Sequence, residues 1–159
     1  NGDFAHTMLR QLYFAVFMQP YWQAMIGSTD KTLSAIAAKA VKEIAYHAKH
    51  AGEWVIRLGD GTEESARRMQ AAVDALHPYT DELLAPTRGG VDSAVVPSRA
   101  AMRDQWEAAI EEVFAEARLE VPEVRFWLSG GREGRHGEEF GHLLSELQYM
   151  QRTYPGLTW

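Results

Sequence analysis

Between residues 31 and 58 apolar side chains recur every three or four positions, and that period confines the segment to one long amphipathic helix. Leu33, Ile36, Ala37, Ala40, Ile44, His47, Ala51, Val55 and Leu58 fall on a single arc, which a stable fold has to cover with other helices. The same period continues along the chain, with no run of alternating strands and no internal repeat, so the fold class is all-α. A first helix spans about residues 4–26, with Pro20 inside it removing one backbone donor and kinking the last turn. Gly27, Ser28, Thr29 and Asp30 end it and cap the long helix, which Gly59-Asp60-Gly61 stops in turn. Thr62 caps a third helix to about residue 75, with Glu63 and Glu64 in the first turn where acids suit the helix dipole. His77-Pro78 then bends the chain into a short turn ending at Leu84. Residues 85–96, with Pro86, Gly89 and Gly90, read as the longest loop. A fourth helix over about residues 98–118 buries Met102, Trp106, Ile110, Val113 and Phe114. Pro122 and the glycine-rich residues 129–137 separate it from a fifth helix at about 138–153, followed by an irregular tail.

A chain of 159 residues with 46% hydrophobic content buries roughly two-thirds of its unfolded surface, enough for a single domain over residues 1–159. Its formal net charge of -6 gives no electrostatic reason to expect nucleic acid or an anionic membrane as partner. The absence of cysteine excludes disulfides, thiolate catalysis and zinc-thiolate sites, and it fits a cytoplasmic location. Residues 12–18 are strongly apolar, but Arg10, Gln11, Gln19, Pro20 and Gln23 interrupt the run before bilayer length, so it reads as buried and not membrane-spanning. The sequence starts at Asn1 without methionine, and a trimmed chain whose first helix lacks partners is the expectation.

In that first helix Phe4, Met8, Leu12, Tyr13, Phe14, Val16, Phe17, Tyr21, Trp22, Met25 and Ile26 cover nearly every face. A helix apolar all round is buried on several sides, either at the centre of its own domain or partly against another subunit. Under the second reading Tyr13, Phe17 and Trp22 are the aromatic anchors of a partner interface.

Di-iron four-helix bundles draw a carboxylate from each of two helices and a Glu-x-x-His pair from each of two others. Within Lys42-Glu43-Ile44-Ala45-Tyr46-His47-Ala48-Lys49-His50 the residue three before His47 is Ile44, which has no donor atom, and the first helix holds no acid at all. Ile44 and His47 therefore read as a vestigial metal-site register, with His47 either a hydrogen-bonded core histidine or a lone ligand, and no metal is expected. Glu139 and His142 have the right spacing, but His142 points nearly opposite the apolar arc of Phe140, Leu143, Leu144 and Leu147, which makes that pair a solvated face. Gly130-Gly131-Arg132-Glu133-Gly134-Arg135-His136 is either a flexible hinge or a phosphate cradle in which Arg132 and Arg135 meet the phosphates of an acyl-CoA. Asp104, Glu107, Glu111, Glu112 and Glu116 form the solvated side of the fourth helix.

Residues 35–79, with the continuous string AAKAVKEIAYHAKHAGEWVIRLGDGTEES at 37–65, closely resemble the bacterial phenylacetic acid degradation protein family. The resemblance is to the structural, non-catalytic branch of the oxygenases that epoxidise the ring of phenylacetyl-CoA. The opening Asn1-Gly2-Asp3-Phe4-Ala5 and the ending Tyr154-Pro155-Gly156-Leu157-Thr158-Trp159 are similar to the same family. The resemblance implies a ferritin-like helical bundle that lacks its N-terminal helices here. It also implies a non-catalytic subunit without its own cofactor, paired with a catalytic di-iron subunit and other subunits of the complex. In the catalytic branch a Glu occupies the position of Ile44 and a His that of His47. Oxygen and NADPH-derived electrons, the latter through a separate reductase, would drive the reaction. Two rival readings are a self-sufficient di-iron oxidase and a helical scaffold outside this pathway.

Overall fold

Asp3 begins the first helix, α1 (Phe4–Met25), by accepting from the His6 amide at 3.2 Å and from the His6 ring nitrogen Nδ1 at 2.9 Å. The computed structural model describes residues 2–86 and 93–158. It resolves the chain into two compact units, residues 1–128 and 129–159. The first unit holds α1, α2 (Lys31–Gly59), α3 (Glu63–Leu76), a 3-10 turn at His77–Tyr79, the short α4 (Asp81–Leu84), a second 3-10 turn at Ala100–Met102 and α5 (Arg103–Ala117). The second holds a 3-10 turn at Gly131–Glu133 and α6 (Glu138–Thr153). Among the described residues there is no strand, and the architecture fits a ferritin-like helical bundle. No described helix is long and apolar enough to cross a membrane.

The caps are those the residue types call for. The Asp30 carboxylate accepts from the amides of Thr32 and Leu33 at 2.8 and 3.1 Å, and the Thr62 hydroxyl accepts from the Ser65 amide at 3.2 Å. Arg118, in the left-handed region with φ 56°, closes α5, and the Leu119 amide donates back to the Phe114 carbonyl at 3.0 Å in Schellman fashion. Its guanidinium then reaches the Asp60 carboxylate at 3.0 Å, tying the end of α5 to the end of α2. The two helix ends meet closely. A Cβ at Gly59 would run into the Ala117 carbonyl oxygen, so that approach needs glycine.

α1 packs against α2, α3, α4 and α5, and it is the central element of the first unit. It runs antiparallel to α2, with Phe4 edge-on to Trp54 at one end and Val16 and Pro20 beside Val41 further along. Leu9, Leu12 and Phe17 of α1 meet Val55 of α2, Met69 and Val73 of α3, Leu84 of α4 and Phe114 of α5 in one cluster. Among the two readings of α1, the structure favours the central helix of its own domain.

Several sequence expectations change here. The fourth helix begins at Arg103, because residues 100–102 tighten into a 3-10 turn with no side-chain cap at Met102. In α2 the arc is buried at Ala37, Ala51 and Val55, while Ile36 is exposed and Ile44 is half-buried, so the arc is covered unevenly along its length. The expected loop over residues 85–96 includes 87–92, which lie outside the described residues. In the second unit no residue of α6 is buried.

Candidate functional site

The vestigial register lies on the open half of α2. His47 is not a core histidine: its side chain is 49% exposed, and its Nε2 is 3.9 Å from the Glu43 carboxylate, one turn back on the same helix. Around it Glu43, Tyr46 and His50 are exposed as well, so this part of the arc that periodicity defines is not covered in the described residues. Tyr46 instead stacks on His50 with centroids 5.9 Å apart, and His50 leads on to Trp54. As a metal site the set does not fit: Ile44 supplies no donor, and among the described residues no group of three His, Cys, Asp or Glu side chains converges. Glu139 and His142 are both exposed, in keeping with a solvated face.

Two of the three aromatic anchors are spent inside the chain. Tyr13 is 4% exposed and Phe17 is 1% exposed, so neither has surface left for a partner, and the expectation that they anchor an interface is corrected. Phe17 stacks on Tyr21 and lies under the Arg99 guanidinium at 4.7 Å. Trp22 is half-buried beside Tyr21. What α1 presents outward is Phe4 and Phe14.

Tyr13 belongs to a buried polar knot that the sequence did not disclose. Its hydroxyl shares a hydrogen bond of 3.1 Å with Nδ1 of His77, and its carbonyl accepts from Trp106 Nε1 at 2.9 Å. Trp127 lies against the imidazole in a tilted arrangement with ring centroids 5.8 Å apart. Burial holds the His77 imidazole below its ordinary pKa and pushes the Tyr13 phenol far above the usual range. The one visible signal was His77-Pro78 at a bend, which says nothing about a partner 64 residues away.

Above this knot lies an open apolar groove of about 570 Å³ between α1 and the α3–α4 corner. Phe14, Leu76, Tyr79 and Leu83 line it together with Arg10, Gln11, Tyr13 and Thr80.

In the second unit, Gly130 and Gly134 adopt φ values of 100° and 84°, which fold the loop before α6 into a tight 3-10 turn. Arg132 lies within that turn and Arg135 just after it, and both are exposed. Glu138 and Glu139 already occupy the first turn of α6, so the positive end of the helix dipole faces the helix's own carboxylates. The loop is a poor cradle for an anion on that count.

The family model described as Phenylacetic acid catabolic protein matches residues 1–159, the whole of this chain. The chain belongs to the phenylacetic acid catabolic protein family. Within that family it is similar to the C subunit of 1,2-phenylacetyl-CoA epoxidase from Escherichia coli (strain K12), with 35% identity over 162 residues. The match covers 100% of this chain and 65% of the relative, so the chain spans just under two thirds of the relative's length. The resemblance drawn from residues 35–79 is thereby borne out.

Proposed function

We propose that this member of the phenylacetic acid catabolic family is a structural, non-catalytic subunit of a multicomponent oxygenase that epoxidises the ring of phenylacetyl-CoA. It would pair with and support the catalytic partner that carries the di-iron centre. The observation that carries the reading is the mismatch at one register position. The family relationship covers the full chain, yet Ile44 stands where a Glu-x-x-His ligand pair needs its carboxylate, and His47 has only an exposed Glu43 near it. A helix of a di-iron family that keeps the histidine and replaces the acid with a hydrocarbon retains packing and gives up coordination.

Support, in this reading, is mechanical. α1 and α2 form a long rigid pair, and the open half of α2 and the outer face of α1 offer surface to neighbours. Aerobic phenylacetate breakdown in the cytoplasm is the setting this function implies.

Reconstitution tests it. The full chain co-expressed with its catalytic partner should co-purify, iron should follow the catalytic partner, and omission of this chain should abolish epoxide formation. Near-stoichiometric iron in the full chain purified alone would instead establish the self-sufficient oxidase. Failure to associate with the catalytic partner would leave the unrelated scaffold.

A further inference from the structure

We propose that the segment following α5 is a latch, hinged at Glu120 and seated through Trp127 and Leu128 on the His77–Pro78 turn, and that protonation of His77 opens it.

Residues 120–128 form no helix, and two unequal fastenings hold them along α3. At the hinge the Gln70 side chain stands in for a strand of backbone. Its Oε1 accepts from the Glu120 amide and its Nε2 donates to the Glu120 carbonyl, both at 3.0 Å, while Leu119 just before is buried in the core. At the seat there is one backbone hydrogen bond, from the Leu128 amide to the Pro78 carbonyl at 2.9 Å, and one ring contact, Trp127 against His77. Between the fastenings only Pro122 and Val124 are partly buried. Trp127 is 47% exposed and Leu128 44%, so lifting them uncovers little apolar surface that water does not already touch. A segment held by so few buried contacts opens at a far lower free energy than the core beneath it.

The imidazole decides when. Tyr13 from α1, Trp106 from α5 and Trp127 from the latch surround it, and of these only the phenol is ionisable. Asp74 of α3 acts on that phenol, and the short α4 beside the turn carries Glu82 and Asp81, the latter paired with Arg103. Glu123 and Arg125 of the latch itself are exposed. The Tyr13 contact does not resist a proton, because a hydroxyl accepts from a protonated Nδ1 as readily as it donates to a bare one. What resists is burial, which keeps the seated imidazole below its ordinary pKa. With Trp127 lifted, water reaches the ring and the pKa returns toward about 6.5. The open form therefore binds the proton more tightly, and acid shifts the balance to it. Below about pH 6.5, and down to the pKa of the seated ring, the open population grows by up to about tenfold per pH unit.

Amide hydrogen exchange of the full chain, corrected for the intrinsic effect of pH on exchange, tests this. At pH 7 the Leu128 amide should be protected about a hundredfold less than that of Phe17 in the core, and low urea should leave its rate unchanged. Between pH 6.5 and 5.5 its protection should fall by up to about tenfold, and His77→Gln should abolish the fall. Trp127→Ala, at an exposed position, gives a reading that does not depend on whether His77→Gln folds: its His77 ring signals in NMR should titrate closer to pH 6.5 than those of wild type. Leu128 protection equal to that of Phe17 overturns the latch, since the segment then opens only with the whole fold. Leu128 protection that ignores pH, or a His77 titration unchanged in Trp127→Ala, overturns the control by His77.

Discussion

Tyr13 and His77 share a 3.1 Å hydrogen bond inside a shell of Trp106, Phe114 and Trp127, and this contact joins the middle of α1 to the turn that ends α3. Neither ring nitrogen nor phenol can take a charge there without losing water, which fixes how the fold responds to pH. Burial keeps the folded imidazole's pKa below the unfolded value of about 6.5. The unfolded chain therefore takes up a proton first as pH falls. Stability should decline from about pH 6.5 downward until the folded pKa is reached. At the other end the phenol's raised pKa means stability should decline above about pH 10, where the unfolded tyrosine ionises. Urea midpoints measured from pH 5 to 8 should show the acid slope, and His77→Gln should flatten it.

Tyr13→Phe removes one partner and leaves the other inside the knot. A loss of about 1 to 3 kcal/mol is expected from the imidazole nitrogen left without its bond. Chemical denaturation of the full chain measures this directly, and a loss well under 1 kcal/mol would mean that water replaces the phenol.

Phe17→Ala should cost about 3 to 5 kcal/mol, since the ring is among the largest fully buried side chains of the core. The effect belongs to folding and not to assembly. Trp22→Ala, at a half-buried position, should cost less, and the two melting curves compared side by side decide the order.

Gly59→Ala should destabilise the first unit by prying α2 from α5, because the new methyl meets the Ala117 backbone oxygen instead of a flexible side chain. A loss of about 1 to 3 kcal/mol is the expected scale for such overpacking. Weakening of the nearby Asp60–Arg118 ion pair should accompany it, visible as loss of protection at the end of α5 in hydrogen exchange.

Replacing both Arg132 and Arg135 with Ala should change acyl-CoA affinity of the assembled complex by less than about tenfold, the factor that 1.4 kcal/mol represents. Two direct charge-assisted phosphate contacts would cost more than that. Glu138 and Glu139 at the start of α6 are the reason for expecting little.

Much of the architecture is legible because helix ends carry chemical signatures. Asp30 and Thr62 announce their caps, Gly59 announces a stop, and the limits of α2 and α6 fall within a residue of where spacing puts them. Periodicity identifies the arc of α2 but carries no information on which part of it finds a neighbour, so it points His47 inward while the side chain lies in the open. Tyr13 and Phe17 look like surplus apolar surface because a sequence does not say how many helices will gather round α1. The missing carboxylate at Ile44 is readable, since absence of a donor atom is a property of the residue itself. The groove beside α1 is not, as Phe14 and Tyr79 of its lining lie 65 positions apart along the chain, and only packing brings them together.

Trp106 Nε1 donates to the Tyr13 carbonyl across 93 residues of sequence, so the interior of α1 is completed by side chains synthesised long after it. At a translation rate of about 5 to 20 residues per second, the ribosome needs roughly 5 to 20 seconds to span that interval. Throughout it the nascent α1 and α2 can pair, yet the face that awaits Trp106, Ile110 and Phe114 stays bare. Apolar surface left bare in this way is prone to aggregate, so the vulnerable interval for this chain should close only when α5 leaves the exit tunnel.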